Sequence, residues 1–371
     1  MAKVVLAGGG TGGHIFPMQS VAAALLASGL AAESLVYVGS QRGQEGALLG
    51  GGPIELVTLP GRGLRRSVRG GALGENLRAL AGLAVATARA CWLVARWRPS
   101  VVVSFGGYAA LPAGLAAALW RRPLVLVDLD ATPGATQRLL ARFARARCVA
   151  QAASGPRDVV TGVPLREEIA SLARDATARS RARARFSPPI DDHRLVLVVM
   201  TGSLGARSVN DAVSELALAW RARSDVTILH VAGRRDVDRV RARAPRLEGL
   251  DYRIYDFADM SVLWEVADIA LCRAGATTLA ELCALGIAAV LVPLPGSPGD
   301  HQSHNAARLA DAGAAIVLED GALSGEKIAS ALEGLIGSER YHEMGRAARE
   351  LARPDAARAI ADVVRRVGGF S

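Results

Sequence analysis

A glycine-rich segment that ends in a histidine is the first stretch of the chain whose residues could do chemistry. Residues 8–17 read GGGTGGHIFP, with five glycines in the six positions before His14. A strand that feeds a glycine loop presents backbone N–H groups, which favour an anion or an oxyanion. A histidine beside such a loop is a candidate for removing a hydroxyl proton. The alternative is a tight turn with glycines for steric reasons alone, although one or two glycines would be enough for that.

The glycine spacing also matches the dinucleotide-binding fingerprint, Gly8-x-Gly10-x-x-Gly13. That fingerprint needs an acidic residue at the end of the next strand, where it binds the adenosine ribose. Here the next apolar run is residues 36–40, VYVGS, which contains no carboxylate. The sequence therefore disfavours an enzyme that uses a nicotinamide cofactor.

The elements that would position this loop are short apolar runs that alternate with segments of helical spacing. The candidate strands are Lys3–Ala7, Leu35–Val38, Val101–Ser104, Leu124–Val127, Leu195–Met200, Thr227–Val231, Ile269–Cys272 and Ala289–Val292. The candidate helices include Met18–Ala27, Leu111–Leu119, Asn210–Ala219 and Thr278–Leu285. Such alternation predicts an α/β fold with parallel sheets covered on both faces.

The chain divides near Val163, where TGVPLR interrupts the alternation of strands and helices. A length of 371 residues exceeds the usual size of a single core, so two domains are expected. Each half opens with an apolar strand and a glycine loop, and the second loop is Thr201–Ala206 (TGSLGA). The Arg/Ala-rich segment Leu172–Phe186 between the halves predicts a solvated helix face rather than a basic ligand patch.

Composition narrows the class of partner. The net charge of +9 fits a nucleic acid, an anionic membrane or a phosphorylated substrate. Aromatic residues make up only 4% of the chain and are not interleaved with basic ones, so a nucleic acid is the least favoured of these three partners. We expect no signal peptide and no transmembrane span. The four cysteines form no CxxC pair, and we expect buried free thiols in a reducing cytosol.

A basic loop followed by an apolar helix could meet a membrane. The loop carries Arg62, Arg65, Arg66 and Arg69, and the predicted helix Leu77–Trp97 carries Trp92. Basic residues beside an apolar surface with tryptophan are typical of peripheral attachment to anionic lipid. An ordinary core-packed helix with a solvated loop is the alternative.

Six motifs occur along the chain in one order. They are Gly8–Pro17, Ser104–Tyr108 (SFGGY), Gly162–Arg166, Thr201–Ala206, Cys272–Glu281 (CRAGATTLAE) and His301–Ala306 (HQSHNA). Together they resemble the MurG family of N-acetylglucosaminyltransferases of peptidoglycan synthesis, over essentially the whole chain. That family transfers GlcNAc from UDP-GlcNAc to undecaprenyl-pyrophosphoryl-MurNAc-pentapeptide (lipid I) and so forms lipid II.

The resemblance implies a GT-B fold, with two Rossmann-like domains whose parallel sheets face an interdomain cleft. Residues 1–163, completed by a C-terminal helix in 355–371, would bind the lipid acceptor and the membrane. Residues 164–354 would bind the UDP-GlcNAc donor. The implied location is peripheral, on the cytoplasmic face of the cell membrane.

The resemblance also implies roles for residues at matching positions. Ser203 would hold the donor pyrophosphate, Glu281 the ribose hydroxyls and Gln302 the GlcNAc hydroxyls. Phe257 would line the uracil, unless it is a core residue, and Glu281 alone could equally mark a solvated helix face. Arg166 would contact the donor or form a structural salt bridge. The remaining implied donor residues are Thr11, Gly12, Gly13, Asp130, Ala276, Thr277, Thr278, Leu279 and Ala280.

The implied chemistry is a single inverting displacement with His14 as the base and Asp128 as a second candidate or orienting partner. No metal cofactor is required, although the spacing of Asp128 and Asp130 leaves Mg²⁺ as an alternative. The family usually has His-Glu-Gln-Asn where this chain has VDLD at 127–130, and Leu204 stands where Gln is common. A related GT-B enzyme with another UDP-sugar or lipid acceptor, and a non-catalytic binding protein, are the rival interpretations.

Overall fold

The structure is a computed structural model that describes residues 4–10, 12–60, 72–202 and 205–370, with no description of the side chains of 72–78. It separates into two compact units, Met1–Arg166 with Arg353–Ser371, and Glu167–Ala352. The sequence predicted the divisions slightly differently, after residue 163 and before residue 355. Seven residues named in the predictions lie outside the described residues: Thr11, Arg62, Arg65, Arg66, Arg69, Ser203 and Leu204.

The first unit contains a seven-stranded parallel sheet of order β3-β2-β1-β4-β5-β6-β7. Its strands are β1 (Val4–Ala7), β2 (Leu35–Ser40), β3 (Glu55–Leu59), β4 (Val101–Ser104), β5 (Leu124–Asp128), β6 (Ala146–Val149) and β7 (Asp158–Val160). Its helices before the division are α1 (Gly12–Ala27), α2 (Glu45–Leu49), α3 (Ala72–Trp97), α4 (Gly107–Leu119) and α5 (Ala135–Leu140).

The second unit contains a six-stranded parallel sheet of order β10-β9-β8-β11-β12-β13. Its strands are β8 (Leu195–Met200), β9 (Val226–Val231), β10 (Asp251–Tyr255), β11 (Ile269–Cys272), β12 (Ala288–Leu291) and β13 (Ala315–Val317). Its helices are α6 (Glu167–Ala170), α7 (Ala176–Ala184), α8 (Arg207–Ala219), α9 (Val237–Ala242), α10 (Met260–Val266), α11 (Ala276–Leu285), α12 (His301–Asp311), α13 (Gly325–Glu333) and α14 (Arg340–Glu350).

The last helix, α15 (Ala356–Gly368), belongs to the first unit although it follows the second in sequence. It packs against α1 and the strands β4, β5 and β6. Its buried residues Ile360, Val363 and Val364 follow the spacing of one helix face. The chain therefore returns to complete the N-terminal domain, as the resemblance implied.

Both sheets are buried on both faces, which is why their central strands are nearly all aliphatic. Every residue of β1, β4 and β11 is buried. In such sheets the carboxyl ends of parallel strands meet at one edge, where ligands bind. The predicted fold class, two α/β domains with parallel sheets, is confirmed, and the motif loops after β1, β4, β8 and β11 lie at those carboxyl ends.

Helix α3 has a core face and an exposed face. Within the described residues, its segment Ala79–Trp97 is the one helix long and apolar enough to cross a membrane by length and composition, with a mean hydropathy of 1.3. Its side chains Ala86, Ala90, Leu93 and Val94 are nevertheless buried in the core between α3, the sheet and α4. One face of α3 therefore packs against the sheet and α4.

The predicted solvated helix face in Leu172–Phe186 is wrong for its central arginines. Arg183 is only 5% exposed, and Arg179 and Arg183 both pair with the carboxylate of Asp268. Arg174 donates to the carbonyl oxygens of Trp264 and Ala267. The reason is that Asp268 is buried at the start of β11, and a buried carboxylate needs counter-charges.

Candidate active site

The glycine loop after β1 is built around a buried carboxylate. Gly9 has a φ of +140° and Gly10 a φ of +97°, which are backbone conformations that favour glycine. A Cβ atom on Gly9 would lie 1.9 Å from Oε1 of Glu45, and one on Gly10 would meet nothing within 4 Å. Gly9 thus makes room for a side chain of the protein itself, whereas Gly10 is open to a ligand.

Glu45 is fully buried at the start of α2 and holds two loops together. Its Oε1 accepts hydrogen bonds from the backbone N–H of Gly10 and of Ser40, each at 2.9 Å. A Cβ on Gly43 would lie 1.8 Å from Oε2, so this glycine also makes room for the carboxylate. Sequence reasoning missed Glu45; the signal was a glutamate among glycines directly after β2.

His14 lies in the first turn of α1, half-buried against the turn between β4 and α4. A Cβ on Gly106 would lie 3.6 Å from Nε2 of His14, and one on Gly107 would lie 3.8 Å from Cε1. The φ angles of these glycines are +83° and +71°. This turn therefore needs glycine for its backbone conformation, and it packs at van der Waals distance from the imidazole. Next to it, the hydroxyl groups of Tyr108 and Ser40 are 2.6 Å apart.

Asp128, the second candidate base, is the last residue of β5 and is held by an arginine. Its Oδ2 is 3.0 Å from Nη2 and 3.3 Å from Nε of Arg147, which also reaches Oδ1 of Asp158 at 3.2 Å. Burial raises the pKa of Asp128, and Arg147 opposes that rise. Both contacts use Oδ2, so the ion pair orients the carboxylate at the end of β5. Asp130 is half-buried two residues further on.

Arg166 lies in the first unit, at its division from the second. Its guanidinium carbon is 4.9 Å from the centroid of the Phe16 ring, which is a cation–π contact. A Cβ on Gly12 would lie 2.9 Å from the same ring, whereas Gly13 is exposed. Arg166 and the α1 amino end therefore share one small region.

In the second unit, the loop after β8 leads into the amino end of α8. The hydroxyl of Thr201 donates to the carbonyl of Val231 at 2.9 Å. Gly205 has a φ of +85°, and a Cβ there would lie 2.6 Å from the carbonyl oxygen of Ala232. Thr201 and Gly205 therefore lie close to the end of β9. Its glycines and the α8 amino end, which begins at Arg207, are the kind of arrangement that binds a diphosphate.

Glu281 on α11 is buried rather than solvated, so the solvated-face alternative is wrong. It is 5% exposed, and its Oε2 accepts a hydrogen bond from Nε1 of Trp264 at 2.9 Å. Burial and then the nearby Glu281 charge raise the pKa of the Cys272 thiol to about 12. Sequence reasoning missed Trp264, because nothing in the spacing of α10 and α11 indicates that they meet.

The first turn of α11 supplies the other predicted donor residues. Ala276, Thr277, Thr278 and Ala280 are half-buried, and the helix begins after Gly275. The first N–H groups of a helix have no partner within it and carry a partial positive charge. Leu279 is different: its side chain is 4% exposed and belongs to the hydrophobic core. Its backbone N–H donates to the carbonyl of Gly275 at 3.0 Å.

The motif on α12 is joined to the motif on α11. Nδ2 of Asn305 donates to the carbonyl of Ala274 at 3.1 Å, and Oε1 of Gln302 accepts from the N–H of Leu294 at 3.0 Å. With its oxygen engaged, the Gln302 amide offers its NH₂ group as a donor. The structure thus brings the motifs of residues 272–281 and 301–306 together at the carboxyl ends of β11 and β12.

Phe257 follows β10 and is 61% exposed, so the alternative of a core phenylalanine is wrong. The guanidinium carbon of Arg234 is 5.4 Å from its ring centroid. An exposed ring that a neighbouring arginine steadies is suited to stacking on a flat ligand.

A cluster of charged side chains lies away from these loops. An open cavity of about 940 Å³ beside Arg179 and Arg183 contains none of the predicted donor residues and opens at the amino ends of β8 and β11. Within the part of the chain that the structure describes, no group of three or more His, Cys, Asp or Glu side chains is placed to hold a metal ion.

Comparison with known proteins agrees with this geometry. Residues 4–149 match the glycosyltransferase family 28 N-terminal domain, and residues 196–360 match the glycosyltransferase family 28 C-terminal domain. A UDP-N-acetylglucosamine–N-acetylmuramyl-(pentapeptide) pyrophosphoryl-undecaprenol N-acetylglucosamine transferase of Desulforudis audaxviator is 35% identical over 99% of both chains. The chain belongs to this family, the MurG family.

Other MurG relatives are similar to the same extent. A transferase of the same name from Xylella fastidiosa (strain M12) is 38% identical over 97% of this chain and 95% of its own. The crystal structure of Acinetobacter baumannii MurG is 28% identical, covers 99% of this chain and 100% of its own, and superposes with a TM-score of 0.76. The resemblance drawn from six motifs is therefore confirmed, and the chain is a glycosyltransferase of this family.

Proposed function

We propose that this protein transfers N-acetylglucosamine from UDP-GlcNAc to undecaprenyl-pyrophosphoryl-MurNAc-pentapeptide (lipid I), forming lipid II in peptidoglycan synthesis. The observation that carries the proposal is full-length identity with relatives named for a transfer between these two classes of substrate. The second unit supports it, because the amino ends of α8 and α11 follow the adjacent strands β8 and β11, and the Glu281 carboxylate is buried on α11.

The donor would be held by the second unit. The Gly202–Ala206 loop and the amino end of α8 would take the diphosphate, with the Ser203 hydroxyl as a further donor. Glu281 would accept from both ribose hydroxyls, and Phe257 would lie along the uracil. The Gln302 NH₂ group would donate to a GlcNAc hydroxyl, because its oxygen is already bound by Leu294.

The reaction would be a single inverting displacement. A hydroxyl oxygen of the acceptor sugar attacks the anomeric carbon, and the bond from that carbon to the UDP oxygen breaks. The hydroxyl proton passes to the His14 imidazole, and the electron pair leaves with UDP. N–H groups of the α8 and α11 amino ends would stabilise the negative charge on the departing diphosphate.

The acceptor is a membrane lipid, so the first unit would attach to the anionic cytoplasmic face of the membrane. Three apolar side chains on α3 support this: Leu80 is 49% exposed, Val85 59% and Trp92 60%. The guanidinium of Arg96 lies 5.6 Å from the Trp92 ring centroid. Exposed apolar side chains with an arginine beside the tryptophan fit peripheral attachment, with the Arg62–Arg69 segment as a further basic contact.

A donor screen tests the reaction. The full chain is incubated with a lipid I analogue and, separately, with UDP-GlcNAc, UDP-GalNAc or UDP-glucose, and the product is identified by mass. We expect GlcNAc transfer with release of UDP. Transfer of another sugar to the same acceptor would replace the proposal by the related GT-B activity, and UDP binding without turnover on any donor would make the chain a binding protein.

A vesicle assay tests the attachment. Trp92→Ala should lower sedimentation with anionic vesicles, because an exposed indole no longer inserts at the interface. Leu218→Ala is the matched control, since Leu218 is 54% exposed on the second unit. Equal sedimentation of Trp92→Ala and the control would reject α3 as the attachment surface.

A further inference from the structure

We propose that Trp264 is a positioning residue for the donor ribose: its indole N–H holds the Glu281 carboxylate in the orientation that accepts both ribose hydroxyls. The inference rests on the proposed function, because it assumes that Glu281 binds the ribose. It adds a residue that never touches the substrate and yet sets the preference for a ribonucleotide.

The contact is direct and confined. Nε1 of Trp264 is 2.9 Å from Oε2 of Glu281, and the tryptophan is fully buried. The indole packs in the core with Leu279 and Leu282, which lie on α11 with Glu281. The backbone of Trp264 is also restrained, because its carbonyl accepts from the guanidinium of Arg174. Core packing and the Arg174 hydrogen bond therefore hold the indole beside the Glu281 carboxylate.

The indole can only donate in this hydrogen bond, and the carboxylate can only accept. Indole N–H is a donor only, so it always stabilises a carboxylate oxygen and never competes as an acceptor. A charge-assisted hydrogen bond also offsets part of the cost of keeping the 5%-exposed Glu281 ionised. The hydrogen bond to Oε2 restricts the rotation of the carboxylate about its last side-chain bond. The orientation held in this way is the one in which Glu281 would accept from two adjacent hydroxyl groups.

Phenylalanine at this position would fill most of the space and donate nothing. The carboxylate could then turn, and the ribose hydroxyls would meet a mobile acceptor. A structural role for Trp264 predicts something else, namely that all ligands bind less well in proportion to lost stability. The two roles differ in whether the loss depends on the ribose hydroxyls.

The test compares UDP with 2′,3′-dideoxyuridine diphosphate, which lacks both hydroxyls, by calorimetry on the full chain. Wild type should prefer UDP by about a hundredfold, since each hydroxyl donates to a charged acceptor. Trp264→Phe should reduce UDP affinity about tenfold and leave the dideoxy affinity unchanged, because only the hydroxyl contacts depend on carboxylate orientation. Trp220→Phe is the matched control, because Trp220 is a buried indole of the same unit that packs in a different hydrophobic cluster, and its preference should equal that of wild type.

Each outcome decides something different. An unchanged preference in Trp264→Phe overturns the positioning role, and equal loss for both ligands makes Trp264 purely structural. No preference in wild type removes Glu281 from the ribose site and so contradicts the proposed donor site itself. If Trp264→Phe does not fold, benzothienylalanine at position 264 keeps the ring shape and removes only the N–H, and it should give the same tenfold loss.

Discussion

Replacing Glu45 by alanine should loosen the glycine loop that carries His14. The carboxylate accepts the N–H groups of Gly10 and Ser40 and fills the space that Gly9 and Gly43 leave. Alanine removes the acceptor, whereas glutamine retains a carbonyl oxygen of the same reach. The pair Glu45→Ala and Glu45→Gln therefore separates the loss of the acceptor from the loss of the charge.

The magnitude follows from the burial of the two donors. Ser40 is 3% exposed, so its N–H would be left without an acceptor at a cost of about 1–3 kcal/mol. Gly10 is half-buried, so water can replace part of its bond, and its share is about 0.5–1.5 kcal/mol. We expect Glu45→Ala to lower the free energy of unfolding by about 2–4 kcal/mol. Glu45→Gln should stay within about 1 kcal/mol of wild type, because removing a buried charge offsets a weaker hydrogen bond.

Urea unfolding and turnover with a lipid I analogue measure the two effects. A displaced His14 should lower kcat in Glu45→Ala by about 10–100-fold, since a shift of about 1 Å has that effect on a catalytic group. UDP affinity serves as the control, because the residues proposed to hold the uracil, the ribose and the diphosphate lie in the other unit. Full stability and activity in Glu45→Ala would refute the reasoning. Equal defects in both variants would show that the charge, not the acceptor, holds the loop.

The clash at Gly43 supplies an independent check on the same site. Gly43→Ala places its Cβ 1.8 Å from Oε2 of Glu45, so it should cost about 1–3 kcal/mol in the wild-type background. In Glu45→Ala the opposing atoms are gone, and most of that cost should disappear. Additive losses in the double variant would mean that the two residues do not share this space.

Three further predictions concern single side chains. His14→Ala should lower kcat by about 10²–10⁴ while UDP affinity barely changes; if UDP affinity collapses instead, His14 is a binding residue. Glu281→Ala should weaken UDP binding by about 1–3 kcal/mol in a calorimetric titration, and unchanged affinity would remove it from the ribose site. Burial lowers the pKa of His230 to about 3, below the value of about 6.5 expected in the unfolded chain. The unfolded state therefore binds the extra proton, and stability is lost as the pH falls from about 6.5 towards the folded value, by about 2 kcal/mol at pH 5. Urea unfolding at about pH 7.5 and about pH 5 measures this pH-dependent loss of stability, and His230→Gln should not show it. The control His342→Gln, at an exposed site, should lose as much stability between the two pH values as wild type.

Much of the fold could be predicted because central strands and helices carry strong local patterns. The expected strands Val101–Ser104, Leu195–Met200 and Ile269–Cys272 coincide with β4, β8 and β11. The missed strands include β3 and β10, which lie at sheet edges. An edge strand is partly exposed, so polar residues interrupt its apolar pattern, as Asp251 and Arg253 do in β10.

The site could be predicted in part. The six motifs indicated His14, Glu281 and Gln302 as candidates, since each motif contains a glycine loop or a helix start that has its own signature. The hydrogen bonds that hold these motifs could not be predicted, because they join residues that are far apart in the sequence. Asn305 is 31 residues from the Ala274 carbonyl that it binds, and Trp264 is 17 residues from Glu281. Spacing along one helix indicates which residues share its face, but it does not indicate which residue of another helix faces them.

The sequence by itself determined the alternation of strands and helices, the two glycine loops and the family, because these depend on local pattern and on motif order. Only the tertiary structure decided what the glycines accommodate and which carboxylates are available. Asp128 at the end of β5 and Glu281 within α11 are both buried, yet one is held by Arg147 and the other by an indole N–H. A buried charge is costly unless it is paired or hydrogen-bonded. Its partner is set by tertiary packing, which brings together residues that are distant in the chain.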